Sequence, residues 1–135
     1  MELVRLLGGS VGLLAFSALT ICVVTASAAS SPAVVTAQGQ VESGAAVFAE
    51  WCALCHGAAG EGGEGPALDR RTLATYRSAD RLFRFVAISM PGDLPGILSE
   101  QEYLDVTAFL LDMNGMNPDG VPVDSSTLAD IPLTN

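Results

Sequence analysis

Apolar residues recur at helical spacing in three stretches of the chain, and nowhere do they alternate as a strand requires. The plainest helix starts at Ser99-Glu100-Gln101-Glu102, a capping box in which serine and glutamate satisfy each other's backbone N–H groups. Tyr103, Val106, Leu110 and Met113 follow as one stripe, with Leu104, Ala108 and Leu111 beside it. Leu98 and Tyr103 are spaced as a hydrophobic staple, and Gly115 suits the residue just past the helix end. A second helix is expected from Ser78 to Ser89. Ser78 is its cap, Asp80 suits its positive end, and Leu82, Phe85, Val86 and Ser89 form its inner face. Pro91 keeps Met90 out of it. The third helix is expected from Ser43 to Cys55, capped by Ser43. Val47, Trp51 and Cys55 share one stripe, and Gly44, Phe48 and Cys52 the next. Gly44 weakens a helix start unless something packs closely on it. Between the first two helices in chain order lies Gly57 to Pro66, with five glycines in ten residues. The fold class expected is all-α, three or more helices with long loops.

Ahead of these helices the pattern changes. Leu6 to Ala29 is charge-free and mostly apolar over 24 residues. Two readings stand. Arg5, the apolar run Val11 to Val24 and the small residues Ala26-Ser27-Ala28 make a secretory signal over residues 1–28. The same length at 1.5 Å per residue also spans a bilayer as a retained anchor, residues 6–29. Both send the remainder out of the cytoplasm, to the periplasm or to the periplasmic face of the inner membrane. Residues 29–41, rich in Ser, Pro, Ala, Thr and Gln, read as a linker. Residues 42–115 read as one domain, and 116–135, with Pro118, Gly120, Pro122 and Pro132, as a low-helicity tail on its surface.

Composition narrows the function. At 135 residues there is room for one domain. The formal net charge is −9, and all six basic residues are arginine, so no basic face exists to displace counterions from a nucleic acid. Hydrophobic residues at 50% exclude a disordered tail, yet aromatics at 6% make a thin core that needs a supplement.

The chemistry is concentrated in Cys52-Ala53-Leu54-Cys55-His56, the C-x-x-C-H attachment motif for haem c. Two thiols three residues apart near a helix end can add to the two vinyl groups on one porphyrin edge, and the next residue then lies under the iron. A thioredoxin-type disulfide would want a βαβ context, which is absent. A zinc site would want four ligands, and beyond residue 28 there is no further Cys or His. One haem c, covalent through Cys52 and Cys55 and ligated by His56, is therefore expected. It would also supply the missing apolar bulk. With His56 the only histidine, a sixth ligand falls to Met90, Met113, Met116 or water.

The chain resembles the class I cytochrome c family, most closely the small cytochromes and haem domains that serve bacterial quinoprotein alcohol dehydrogenases. The resemblance covers about Ser43 to Gly115. It rests on C-x-x-C-H, Gly65-Pro66-Ala67-Leu68, Met90-Pro91 and Ala108-Phe109-Leu110, with Leu94 to Tyr103 and Asn114-Gly115 carrying the finer match. It implies the cytochrome c fold, in which the first and last helices cross at a glycine and an aromatic, the roles of Gly44, Phe48 and Phe109. It implies Met90 as distal ligand and the Pro66 carbonyl as partner of the proximal histidine's far nitrogen. Arg70, Arg71 and Tyr76 precede the second helix and are either haem-propionate partners or solvated groups. Trp51 and Phe85 are expected to fill the haem pocket.

The function so implied is electron transfer rather than catalysis. The donor would be a dehydrogenase, such as a quinoprotein alcohol dehydrogenase, and the acceptor an oxidase or another cytochrome. Two alternatives are a haem subunit held permanently in a larger membrane complex, and an open-site haem enzyme or sensor. Removing residues 1–28 takes away one Arg and one Glu, so the charge stays −9 and favours a basic partner.

Overall fold

The computed structural model describes residues 36–117 and 119–134. The chain divides into two units, Met1–Ser31 and Pro32–Asn135, and the described residues all lie in the second. The signal or anchor segment expected over residues 1–29 lies outside them, and no described helix is long and apolar enough to cross a membrane.

Five helices follow in order: α1 Ala37–Trp51, α2 Ala53–His56, α3 Arg70–Ala74, α4 Ala79–Ser89 and α5 Glu100–Met113, then a 3-10 turn at Leu128–Asp130. The described residues hold no strand, only an isolated bridge between Ser78 and Pro132. The fold is all-α. The caps of α4 and α5 fall where the sequence put them. The Ser78 side chain accepts from Arg81 N–H at 3.4 Å. Ser99 and Glu102 close the full capping box, with Ser99 N–H donating to Glu102 Oε2 at 2.7 Å.

The first helix needs correcting. It begins at Ala37, capped by Thr36, whose hydroxyl accepts from Gly39 N–H at 3.1 Å, and Ser43 is an exposed interior position. The supposed linker is thus helical from Ala37 on. Its inner stripe is Gln40, Gly44, Phe48. Gln40 looked like linker because it is polar, but its buried amide is fully used: Nε2 donates to Val123 O and Oε1 accepts from Val123 N–H, both at 2.7 Å. A buried polar group so paired no longer costs what its polarity suggests. The helix ends at Cys52, and α2 restarts at Ala53. The short α3 had no counterpart in the sequence reading. Asp69 caps it, accepting from Thr72 N–H at 2.8 Å.

α1 packs across α5 through Gly44. A Cβ there would overlap the Asp105 backbone carbonyl and lie 2.8 Å from Phe109 Cβ. Next to that contact the Phe48 and Phe109 rings stack tilted, with centroids 5.3 Å apart. The tail does more than coat the surface. Met116, Val123, Leu128, Ile131 and Leu133 are buried in the same cluster as Phe48, Leu73, Leu104 and Leu111. Its end is pinned ahead of α4: Ala79 N–H donates to Ile131 O, and Leu133 N–H to Arg77 O, each at 3.0 Å. Arg77 takes φ +69° there.

Candidate haem site

Every element but the tail contributes to one cavity of about 620 Å³. α1 gives Phe48 and Trp51, α2 gives Cys55 and His56, and Cys52 sits at their junction. The glycine loop gives Gly65, Pro66 and Leu68. α3 and the turn after it give Thr72, Leu73 and Tyr76. α4 gives Leu82, Phe85 and Val86, and α5 gives Val106 and Leu110. Met90 to Leu94 complete the wall. The wall is mostly apolar with a few convergent polar groups, the usual character of a cofactor site.

His56 is held in one tautomer. Its Nδ1 lies 2.8 Å from the Pro66 carbonyl. A carbonyl only accepts, so Nδ1 carries the proton and Nε2 keeps a free lone pair, the form a metal needs. The glycine loop makes this possible. Gly65 N–H donates to Cys55 O at 2.9 Å and Gly62 N–H to His56 O at 2.7 Å, folding the loop over the imidazole. A Cβ on Gly65 would sit 2.8 Å from His56 Cε1, so only glycine lets the backbone lie against the ring. Gly57, at φ +83°, makes the turn out of α2.

Cys52 and Cys55 are unpaired thiols. Burial pushes the Cys52 thiol up to about 11, and the neighbouring Cys55 adds to the rise. A redox-exchange cysteine wants the opposite, a stabilised thiolate. Among the described residues no group of His, Cys, Asp and Glu is set to hold a metal on its own, which leaves the zinc alternative without support.

Of the three methionines considered as ligands, Met90 lines the cavity. Met116 is buried in the core cluster, and Met113 reaches the glycine loop, with its Cε 2.9 Å from where a Gly60 Cβ would stand. Trp51, Pro66, Tyr76 and Phe85 also line the cavity. The Tyr76 and Phe85 rings pack with centroids 5.2 Å apart, and burial raises the Tyr76 phenol above its ordinary pKa. Arg70 does not line it. Its guanidinium Nη1 donates to the carbonyls of Asn114 and Gly115, at 3.0 and 3.1 Å, capping the negative end of α5. Of the two roles expected for Arg70, solvated charge or propionate partner, the described bonds show a third, a tie to the end of α5.

Two further residues escaped the sequence reading. Asn114 Nδ2 donates to Leu68 O and Leu110 O, both at 2.9 Å, tying the glycine loop to α5. Tyr103, read only as an apolar staple, uses its hydroxyl on the Met90 loop. A phenol on a buried stripe must find a partner, and that was the available signal. The residues present fit a haem: an apolar cavity, a cradle of glycine against a tautomer-fixed imidazole, and two thiols and a thioether lining the same cavity.

Comparison with known proteins agrees. The family model described as cytochrome C oxidase, cbb3-type, subunit III matches residues 39–110. No curated protein matches the sequence. Among solved structures, the sulfane dehydrogenase SoxCD from Paracoccus pantotrophus is similar at 25% identity and TM-score 0.56. The match covers 76% of this chain but 60% of that one, so this chain spans less than two thirds of it. Cytochrome CL from Methylophaga aminisulfidivorans matches at 22% identity and TM-score 0.46, over 64% of this chain and 72% of that one.

Proposed function

The chain belongs to the c-type cytochrome family described as cytochrome C oxidase, cbb3-type, subunit III, and from that membership we propose that it is an exported monohaem electron carrier. Haem binding and electron transfer are what the family does. A bound haem would supply one-electron chemistry. The residues of this chain hold and shield it. The Cys52 and Cys55 thiols would hold the haem covalently through thioethers to its vinyl groups. His56 Nε2 and the Met90 sulfur would hold its iron. The Pro66 carbonyl fixes the imidazole, and Trp51, Tyr76 and Phe85, which line the cavity, would keep water from the haem. Thioether ligation raises the potential, as suits a carrier between a dehydrogenase and an oxidase. The observation that carries this reading is the 2.8 Å bond from His56 Nδ1 to Pro66 O, which leaves Nε2 as a ligand in a cavity shared with both cysteines.

The donor proposed is a dehydrogenase, of the quinoprotein alcohol dehydrogenase type by sequence resemblance, and the acceptor an oxidase or another cytochrome. The charged residues lining the cavity are Glu50, Glu64 and Asp93, and no arginine joins them. Leu54 and Leu94, also on its wall, are 92% and 53% exposed. A small apolar face with an acidic rim suits a basic partner. A second reading, a haem subunit held within a larger complex, is favoured by the likeness to SoxCD, whose matched chain is longer than this one.

Intact mass of the native protein tests the proposal. It should show a chain starting near Ala29 with one haem retained after denaturation. A haem lost on denaturation would refute thioether attachment. A chain still carrying residues 1–28 would replace the free carrier by the anchored form.

A further inference from the structure

The loop that follows α4 is weakly held by its own residues. Met90 is the C-cap of α4, and positions 92–97 are all exposed. Two local backbone bonds shape the loop, Leu94 N–H to Pro91 O at 3.0 Å and Ile97 N–H to Leu94 O at 3.3 Å. Among the described residues, one side chain from another element hydrogen-bonds to it. Tyr103 stands in the first turn of α5 and is 4% exposed. Its hydroxyl donates to the Met90 carbonyl at 2.8 Å and accepts from Gly96 N–H at 3.0 Å. A hydroxyl has one proton and two lone pairs, so a single oxygen can satisfy both ends of the loop together. The Met90 carbonyl is one of the helix-end acceptors that have no partner within the helix.

We propose that Tyr103 is a positioning residue that latches the 90–96 loop and thereby sets how readily the Met90 sulfur leaves the iron. This rests on the reading of Met90 as distal ligand. The sulfur follows its backbone, and the backbone cannot swing out of the cavity without breaking both hydrogen bonds at once. The phenol is itself anchored, since α5 packs on α1 through Gly44 and on α4. The opposite ligand is secured separately, His56 by the Pro66 carbonyl. Loss of the latch therefore loosens the methionine side alone.

Tyr103→Phe removes one oxygen and keeps the ring. In the oxidised holoprotein, excess imidazole replaces a dissociating methionine, and its saturating rate reads the opening of the loop. Tyr103→Phe should raise that rate by about tenfold, the effect of losing one to two net hydrogen bonds. Thr107→Val is the control for mere loss of stability, since its hydroxyl donates to Tyr103 O within α5 at 2.7 Å and touches no loop atom. It should lower the melting temperature and leave the opening rate unchanged. A Tyr103→Phe rate within twofold of wild type, or equal acceleration in both variants, would overturn the latch. Wild-type protein that takes imidazole without saturation, as Met90→Ala should, would overturn the Met90 reading and the latch with it. Saturation in wild type with no change in Tyr103→Phe would overturn the latch alone.

Discussion

Gly44 shows how far one residue can carry the fold. A hydrogen in place of a methyl lets α1 lie on the Asp105 carbonyl. The sequence marked this glycine as anomalous in a helix, and the crossing of α1 and α5 is the reason it is tolerated. Gly44→Ala should cost at least ~1–3 kcal/mol through forced separation of the helices. Guanidinium unfolding of the holoprotein checks this, and an unchanged midpoint would contradict the close approach. His56 and Met90, which both line the cavity, stand out in the sequence for a related reason: each has few competitors of its type in the chain. The bonds of Arg70 do not stand out. A cation near a haem motif has many possible anionic partners, and only the folded chain reveals that α5 presents its C-terminal carbonyls to it.

At the scale of elements, helices with strong local signals were read correctly, and those whose signal is long-range were not. Ser78 and the Ser99–Glu102 box act over three residues, and both cap as expected. The start of α1 depends on Gln40 meeting Val123, 83 positions away, which no local pattern encodes. The same bond explains why the tail, rich in proline and glycine, still enters the core. Gln40→Ala would leave the buried N–H and C=O of Val123 without partners and should cost about 2–4 kcal/mol. Limited proteolysis should then cut within residues 121–134 first, whereas uniform cleavage would contradict a tail held by this bond. Caps also set the acid limit. The carboxylates of Asp69, Glu102 and Asp124 lie below their ordinary pKa because they accept backbone and hydroxyl hydrogen bonds. A depressed folded pKa contributes stability above the ordinary value, ~4, and that contribution is lost as pH falls through the folded value. Glu102→Gln keeps the capping box without the titration. It should be less stable than wild type at pH 7, converge on it in acid, and so lose less stability between pH 5 and 3, followed by helical circular dichroism.

The whole molecule carries −9 and no lysine, and five arginines crowd between Arg70 and Arg84. Two of these are engaged, Arg70 on α5 and Arg84 on Asp80 at 2.9 Å. The cavity wall itself shows only acidic charge. Electron exchange with a lysine-rich redox protein should therefore slow as salt rises over ~0.01–0.15 M, where the Debye length shrinks from ~30 to ~8 Å. Exchange with an acidic protein should quicken. Stopped-flow rates at several ionic strengths decide it, and the reverse pair of slopes would place the arginines at the docking face.

The electron-transfer reading rests on one assignment, that His56 and Met90 hold the iron of a haem filling the cavity between α1, α4 and α5. Its most direct measurement is the weak band near ~695 nm that marks a methionine–iron bond in the oxidised protein, compared across wild type, Met90→Ala and Met113→Ala. The band should be present in wild type, absent in Met90→Ala and present in Met113→Ala, which lacks only a side chain resting on the glycine loop. Absence in wild type, or loss in Met113→Ala with retention in Met90→Ala, would contradict the account.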